Sequence, residues 1–141
     1  MSLETIWRKC FMAAVCCLLG ANWSFAMPQA PKCKGNKRLV GDCFTVHGRM
    51  RLGEGGPAIT IWRIGTDRLL GVYEPGEDDP NVAWIPDRIY EKVSDYDHQI
   101  FADFEVCPLT KQKPDEMQIV CVESATRIVR TVIPLQKPEW R

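Results

Sequence analysis

His47, Arg49 and Arg51 alternate along one short stretch. In an extended chain alternate residues share a face, so an imidazole and two guanidinium groups stand in one row. A guanidinium offers a planar fork of donors that fits carboxylate and phosphate. Trp62 adds an indole, which attracts cations and covers flat or apolar ligand faces. Arg63 and Arg68 add charge on either side of the turn that follows. His47, Arg49, Arg51, Trp62, Arg63 and Arg68 therefore form a candidate site for an unidentified anionic or sugar-like ligand, or for a protein of the cell envelope. The competing reading is a solvated sheet face. There the arginines pair weakly with Asp103 and Glu105 of a neighbouring strand, and a bulge turns Trp62 inward.

Other constellations point less far. Glu74, Glu77, Asp78 and Asp79 supply carboxylates of the kind calcium takes, but their spacing matches no EF-hand loop. They read as a solvated acidic loop. Asp95, Asp97 and His98 lack a second nearby His or Cys, which transition metals usually need. We assign no metal and no cofactor. There is no G-x-S-x-G, no H-E-x-x-H and no phosphate-binding glycine loop. No catalytic residue is assigned. The enzymatic alternative is a small cell-envelope hydrolase with His47 or His98 as base.

The chain has 141 residues with 18 basic and 18 acidic side chains. A zero net charge argues against a generic nucleic-acid binder, whose phosphate contacts need a basic excess. The neutrality hides an asymmetry: residues 27–68 carry a net +5, residues 69–105 a net −8 and residues 106–141 a net +2. The N-terminus ends a short basic region at Arg8 and Lys9. An uncharged run, Cys10 to Ala21, follows, and then Ser24-Phe25-Ala26. That pattern predicts a secretory signal over residues 1–26, cleaved after Ala26, and a periplasmic or secreted protein. Three of the seven cysteines leave with it. Cys33, Cys43, Cys107 and Cys121 remain. An even count without a C-x-x-C pair reads as two disulfides. A Cys43–Cys107 bridge closes the long central gap and stabilises by about 4 kcal/mol on the chain-entropy account. Cys107–Cys121 across a hairpin is its main competitor.

The elements that position these groups follow from hydrophobic period. Residues 27–42 are polar and interrupted by Pro and Gly, and read as an irregular arm. Cys43 to Leu52 alternates strictly, with Phe44, Val46, Gly48, Met50 and Leu52 on one face. Gly48, mid-strand and facing inward, permits a bend or a close backbone approach. Ala58–Ile64 and Arg68–Tyr73 read as the second and third strands. In residues 81–98 the period changes: Ile85, Ile89 and Val93 recur every four residues, which predicts a short helix with Pro86 near its first turn. Ile100–Cys107 alternates again. Met117–Val122 is a fifth strand, which Thr126–Ile133 extends or follows as a sixth. The barrel domain spans 43–134 and a tail 135–141. Three strands, a helix and two strands is the order of a mainly β, OB-like Greek-key barrel (β1-β2-β3-α-β4-β5). An immunoglobulin-like sandwich is the alternative, but it needs about seven strands.

Cys43-Phe44-Thr45-Val46-His47-Gly48-Arg49, Ile61-Trp62-Arg63-Ile64-Gly65-Thr66, Arg68-Leu69-Leu70-Gly71, Val106-Cys107-Pro108 and Val120-Cys121-Val122-Glu123-Ser124 together resemble a family of small exported bacterial proteins. The resemblance covers about residues 43–73 and 100–125. It implies export and a bacterial source, and it implies no activity, cofactor or catalytic residue. Residues 74–98 lie outside it.

Overall fold

The computed structural model describes residues 33–135. The expected signal segment 1–26, the start of the arm (27–32) and all but the first residue of the tail (136–141) lie outside the described residues.

Five strands form the body: β1 (Phe44–Leu52), β2 (Ile59–Arg63), β3 (Leu69–Val72), β4 (His98–Pro108) and β5 (Gln118–Val132). One helical turn, α1 (Asp87–Tyr90), stands between β3 and β4. The sheet closes on itself in the order β1-β2-β3-β5-β4. Four seams are antiparallel, and the seam between β3 and β5 is parallel. A single closed sheet with a helix before β4 is the OB-type Greek-key barrel. It excludes the two-layer sandwich.

Alternation decides what lies inside. Val46, Met50 and Leu52 of β1 face the core, while Thr45, His47 and Arg51 face out. Ile59 and Ile61, Leu70 and Val72, and Ile100, Ala102, Phe104 and Val106 do the same on the next strands. Gly48 allows a close approach. A Cβ there would lie 2.6 Å from Ile61 Cγ2 and 3.2 Å from the Trp62 carbonyl oxygen. β1 thus packs more tightly across the barrel interior than any side chain would permit.

The predicted helix is shorter than the sequence period suggests. Only Asp87–Tyr90 is helical, although Ile85, Ile89 and Val93 are all fully buried. Pro86 sits at its N-cap in extended conformation. Past Glu91 the backbone bonds tighten to i→i−3, from the Lys92 N–H to the Ile89 carbonyl and from the Val93 N–H to the Tyr90 carbonyl, and side chains then compete with the ladder. The Ser94 hydroxyl donates to the Glu91 carbonyl, and Asp95 accepts from the Asp97 N–H. The four-residue period therefore reports which residues plug the barrel, not how long the helix runs. Trp84 joins them, fully buried, with its Nε1–H donating to the Glu77 carbonyl at 3.2 Å.

β5 is one strand of 15 residues, so Thr126–Ile133 extends it. It bends at two register shifts against β4, and Arg127 adopts a left-handed backbone (φ 52°) at one of them. Such bulges let a long strand curl around a small barrel.

The cysteines pair as Cys43–Cys107 and Cys33–Cys121. Cys107 and Cys121 face each other across β4 and β5, yet each reaches to a different partner. The bridges span 64 and 88 residues, and each stabilises by about 4 kcal/mol on the chain-entropy account. Peptide mapping without reduction is expected to recover Cys33–Cys121 and Cys43–Cys107; a Cys107–Cys121 peptide would contradict this topology. Gly48→Ala is expected to cost about 1–3 kcal/mol, read as a lower urea midpoint. An unchanged midpoint would refute the close approach to Ile61.

Candidate functional site

The outer face of β1, β2 and β3 carries the site. Register places Arg49 opposite Trp62 and Trp62 opposite Leu69. All three sit at alternate positions to buried residues, so all three point outward. The arrangement rests on the turn between β2 and β3. Gly65, in left-handed conformation (φ 81°), opens that turn. Thr66 then locks it: its hydroxyl donates to the Arg63 carbonyl at 2.8 Å, and its carbonyl accepts Trp62 Nε1–H at 2.7 Å. The indole is thereby held on the outside of the barrel rather than turned inward.

Arg49 lies on that indole, its guanidinium carbon 4.9 Å from the ring centroid. A cation over an aromatic face gains about 0.5–1 kcal/mol at exposed sites, and more where water is excluded. Its Nε is buried without a hydrogen-bond partner. Trp62 therefore acts as a shelf for Arg49, and the ring face that a sugar would stack on is already taken.

Arg49, Arg51, Thr60, Trp62 and Leu69 line a shallow cavity of about 200 Å³, walled by Pro57, Ala58 and the turn after β1. Glu54 is the one acid on its rim. Among the described residues, neither Arg49 nor Arg51 forms an ion pair, and nor do Arg63 and Arg68. The expected pairing with Asp103 and Glu105 does occur, but with other cations. Asp103 holds His47 Nδ1 at 2.9 Å and also Arg127. Glu105 holds Lys34 at 2.5 Å.

The remaining residues of the predicted set fall elsewhere. His47 shares the outward face of β1 but does not line the cavity. Arg63 pairs with Gly48 and sits at a core-facing position of β2, exposed where the strand leaves the barrel. It lies on the opposite side from Trp62 by simple alternation. Arg68 lines a second cavity of about 620 Å³, with Leu69, Lys113 and Met117. Leu69 belongs to both. Thr60, Leu69 and Pro57 were missing from the sequence-based set. Alternation on β2 and β3 signals the first two; nothing local signals Pro57, which arrives through loop geometry.

The histidines form two similar constellations. His98 Nδ1 lies 2.8 Å from Asp95, which also accepts from Arg130 at 2.9 Å. In both, a carboxylate orients the ring, as it does for catalytic bases. Among the described residues, no hydroxyl or thiol hydrogen-bonds to either imidazole. The acidic loop is spent locally: Glu77 accepts the Glu74 N–H, Asp78 pairs with Arg38, and Asp79 accepts the Asn81 N–H. The one His/Cys/Asp/Glu cluster among the described residues is Cys33, Cys107 and Glu123, and both of its sulfurs are committed to disulfides.

No protein-family model, no curated protein and no solved structure matches this chain.

His47 and then Arg127 hold the Asp103 carboxyl below its ordinary value of 3.8. His98 does the same for Asp95, and Lys34 holds Glu105 below 4.5. A carboxyl whose pKa is depressed on folding contributes stability above its unfolded value and loses it as pH falls through the folded one. Melting temperature is thus expected to drop on acidification below about pH 4. Asp103→Asn is expected to flatten that drop. A variant curve parallel to wild type across the acid limb would show that the pairs add nothing.

Proposed function

We propose that this protein is an exported binding module that holds an anionic group on the outer face of β1 and β2. Export is supported by the N-terminal pattern of basic region, apolar run and Ser24-Phe25-Ala26. Two disulfides among the described residues accord with an oxidising compartment, periplasmic or extracellular. No described helix is long and apolar enough to cross a membrane.

One observation carries the binding reading. Arg49 lies over Trp62 and lines one cavity with Arg51, and among the described residues no acid is paired to either. Among the described residues Lys34, Arg38, Arg127 and Arg130 have carboxylate partners, whereas Arg49 and Arg51, like Arg63 and Arg68, have none. Both guanidinium groups line the same cavity, and an anion seated there would gain from both positive charges. Arginine held in place in this way loses less rotamer freedom on binding than a mobile one. OB-type barrels lend weight to the reading, since the face of their second and third strands and the adjoining loops bind ligands in many of them, and Trp62 and Leu69 lie on β2 and β3 here, although fold alone assigns no function.

N-acetylglutamate titrated into the oxidised protein is expected to shift the side-chain Nε–H resonance of Arg49. Arg49→Ala is expected to weaken binding by about tenfold, the size of one charge-assisted hydrogen bond. Raising the salt concentration is expected to weaken it further. Equal affinity in wild type, Arg49→Ala and Arg51→Ala would remove the proposed site.

A further inference from the structure

The Arg49 cavity is not isolated. Leu69 lines it and also lines the larger cavity between the β2–β3 turn and the loop before β5. Leu69 is 43% exposed and Met117, on the far cavity, 40% exposed. Gly71 explains how the two are joined. Its missing side chain leaves room for Pro57, which walls the first cavity, and for Met117, which lines the second. A Cβ at Gly71 would lie 2.8 Å from Met117 Sδ and closer still to Pro57. Pro57 and Met117 therefore come together over Gly71, where the two cavities adjoin at Leu69, and the pair of cavities is taken as one trough. Its floor is the row Arg49, Trp62, Leu69.

We infer that the occupant of this trough is an extended acidic peptide segment, its carboxylate at Arg49 and Arg51 and an apolar side chain over Leu69 and Met117. This rests on the anion-binding reading of the same face. Three features select a peptide. First, Arg49 covers the Trp62 ring, so no aromatic face is left for a sugar. Second, the apolar surface towards the far cavity, Leu69 and Met117, is aliphatic, and methionine adapts to varied side chains. Third, the far cavity is mixed in charge, with Asp67, Asp115 and Glu116 beside Arg68 and Lys113. A polyanion carrying a charge on every unit would set carboxylates or phosphates against those acids. A peptide with one acid and one apolar residue would not.

Spacing follows from the sheet. β1 and β3 lie two strand separations apart, about 10 Å, and an extended peptide advances about 3.3 Å per residue. The acid and the apolar residue are thus about three positions apart. Both edges of β2 are already paired, to β1 and to β3. Recognition is therefore by side chains and not by strand addition.

The test uses fluorescein-labelled peptides with the core Glu-Gly-Ser-Leu, together with a leucine-to-serine peptide, a glutamate-to-glutamine peptide and labelled oligogalacturonate. Anisotropy with the oxidised full chain is expected to rank the Glu/Leu peptide first, at least about fivefold above the serine peptide. Met117→Ser is expected to abolish that difference and to leave N-acetylglutamate binding unchanged. Equal affinity for the leucine and serine peptides would overturn the inference and leave the anion site standing. Oligogalacturonate binding above the peptide would overturn the peptide class. Failure to bind any probe, N-acetylglutamate included, would remove both readings.

Discussion

Five strands closed into a ring leave an interior only wide enough for side chains. Every strand must then send alternate residues inward, and it must pair in a fixed register with both neighbours. A slip of one residue would exchange the two faces. In this protein that condition places Ile61 and Met50 inside and, by the same alternation, Trp62 and Arg49 side by side on the outside. The face proposed to bind an anion is the outer consequence of filling the core. Gly48 sharpens it, because the close approach there holds β1 firmly against β2.

Closure is weakest where β3 meets β5, with two register pairs, Leu70 with Gln118 and Gly71 with Ile119. Several features compensate nearby. Pro57, Met117 and Ile119 crowd over Gly71, and the Trp84 carbonyl accepts the Val122 N–H at 2.8 Å. Cys33 ties the N-terminal arm to Cys121 of β5. Arg38 then pairs with Asp78 and lies 4.8 Å over the Trp84 ring. The arm, the acidic loop and the plug of Trp84, Ile85 and Ile89 thus form one unit. The basic arm and acidic loop neutralise each other in part. Among the described residues, the arginines of the β1–β3 face have no carboxylate partners, and this is where the charge asymmetry of the sequence becomes a local surface.

Much of the fold was legible in the sequence because strands are read one at a time. The alternation of Phe44 to Leu52 and of Ile100 to Val106 needs no knowledge of neighbours. The helix was overextended for a related reason. Ile85, Ile89 and Val93 recur with helical spacing because all three plug the same opening, and burial period does not reveal whether Ser94 and Asp95 divert the backbone. Arg63 neighbours Trp62 in sequence but not in direction. Strand alternation sends adjacent residues to opposite faces.

The sequence by itself determined which side chains face out on β1, that the strands and helix come in barrel order, and that four cysteines follow the N-terminal segment. These are local properties, set by period and residue type along one stretch. Only the tertiary structure decided that Cys107 and Cys121, although cross-strand neighbours, bond to Cys43 and Cys33. It alone decided that Asp103 takes His47 and Arg127 and leaves Arg49 on Trp62. It alone brought Pro57 and Met117 together over Gly71. The reason is register. Which residue lies opposite which is fixed by closing the whole ring, and no single strand carries that information.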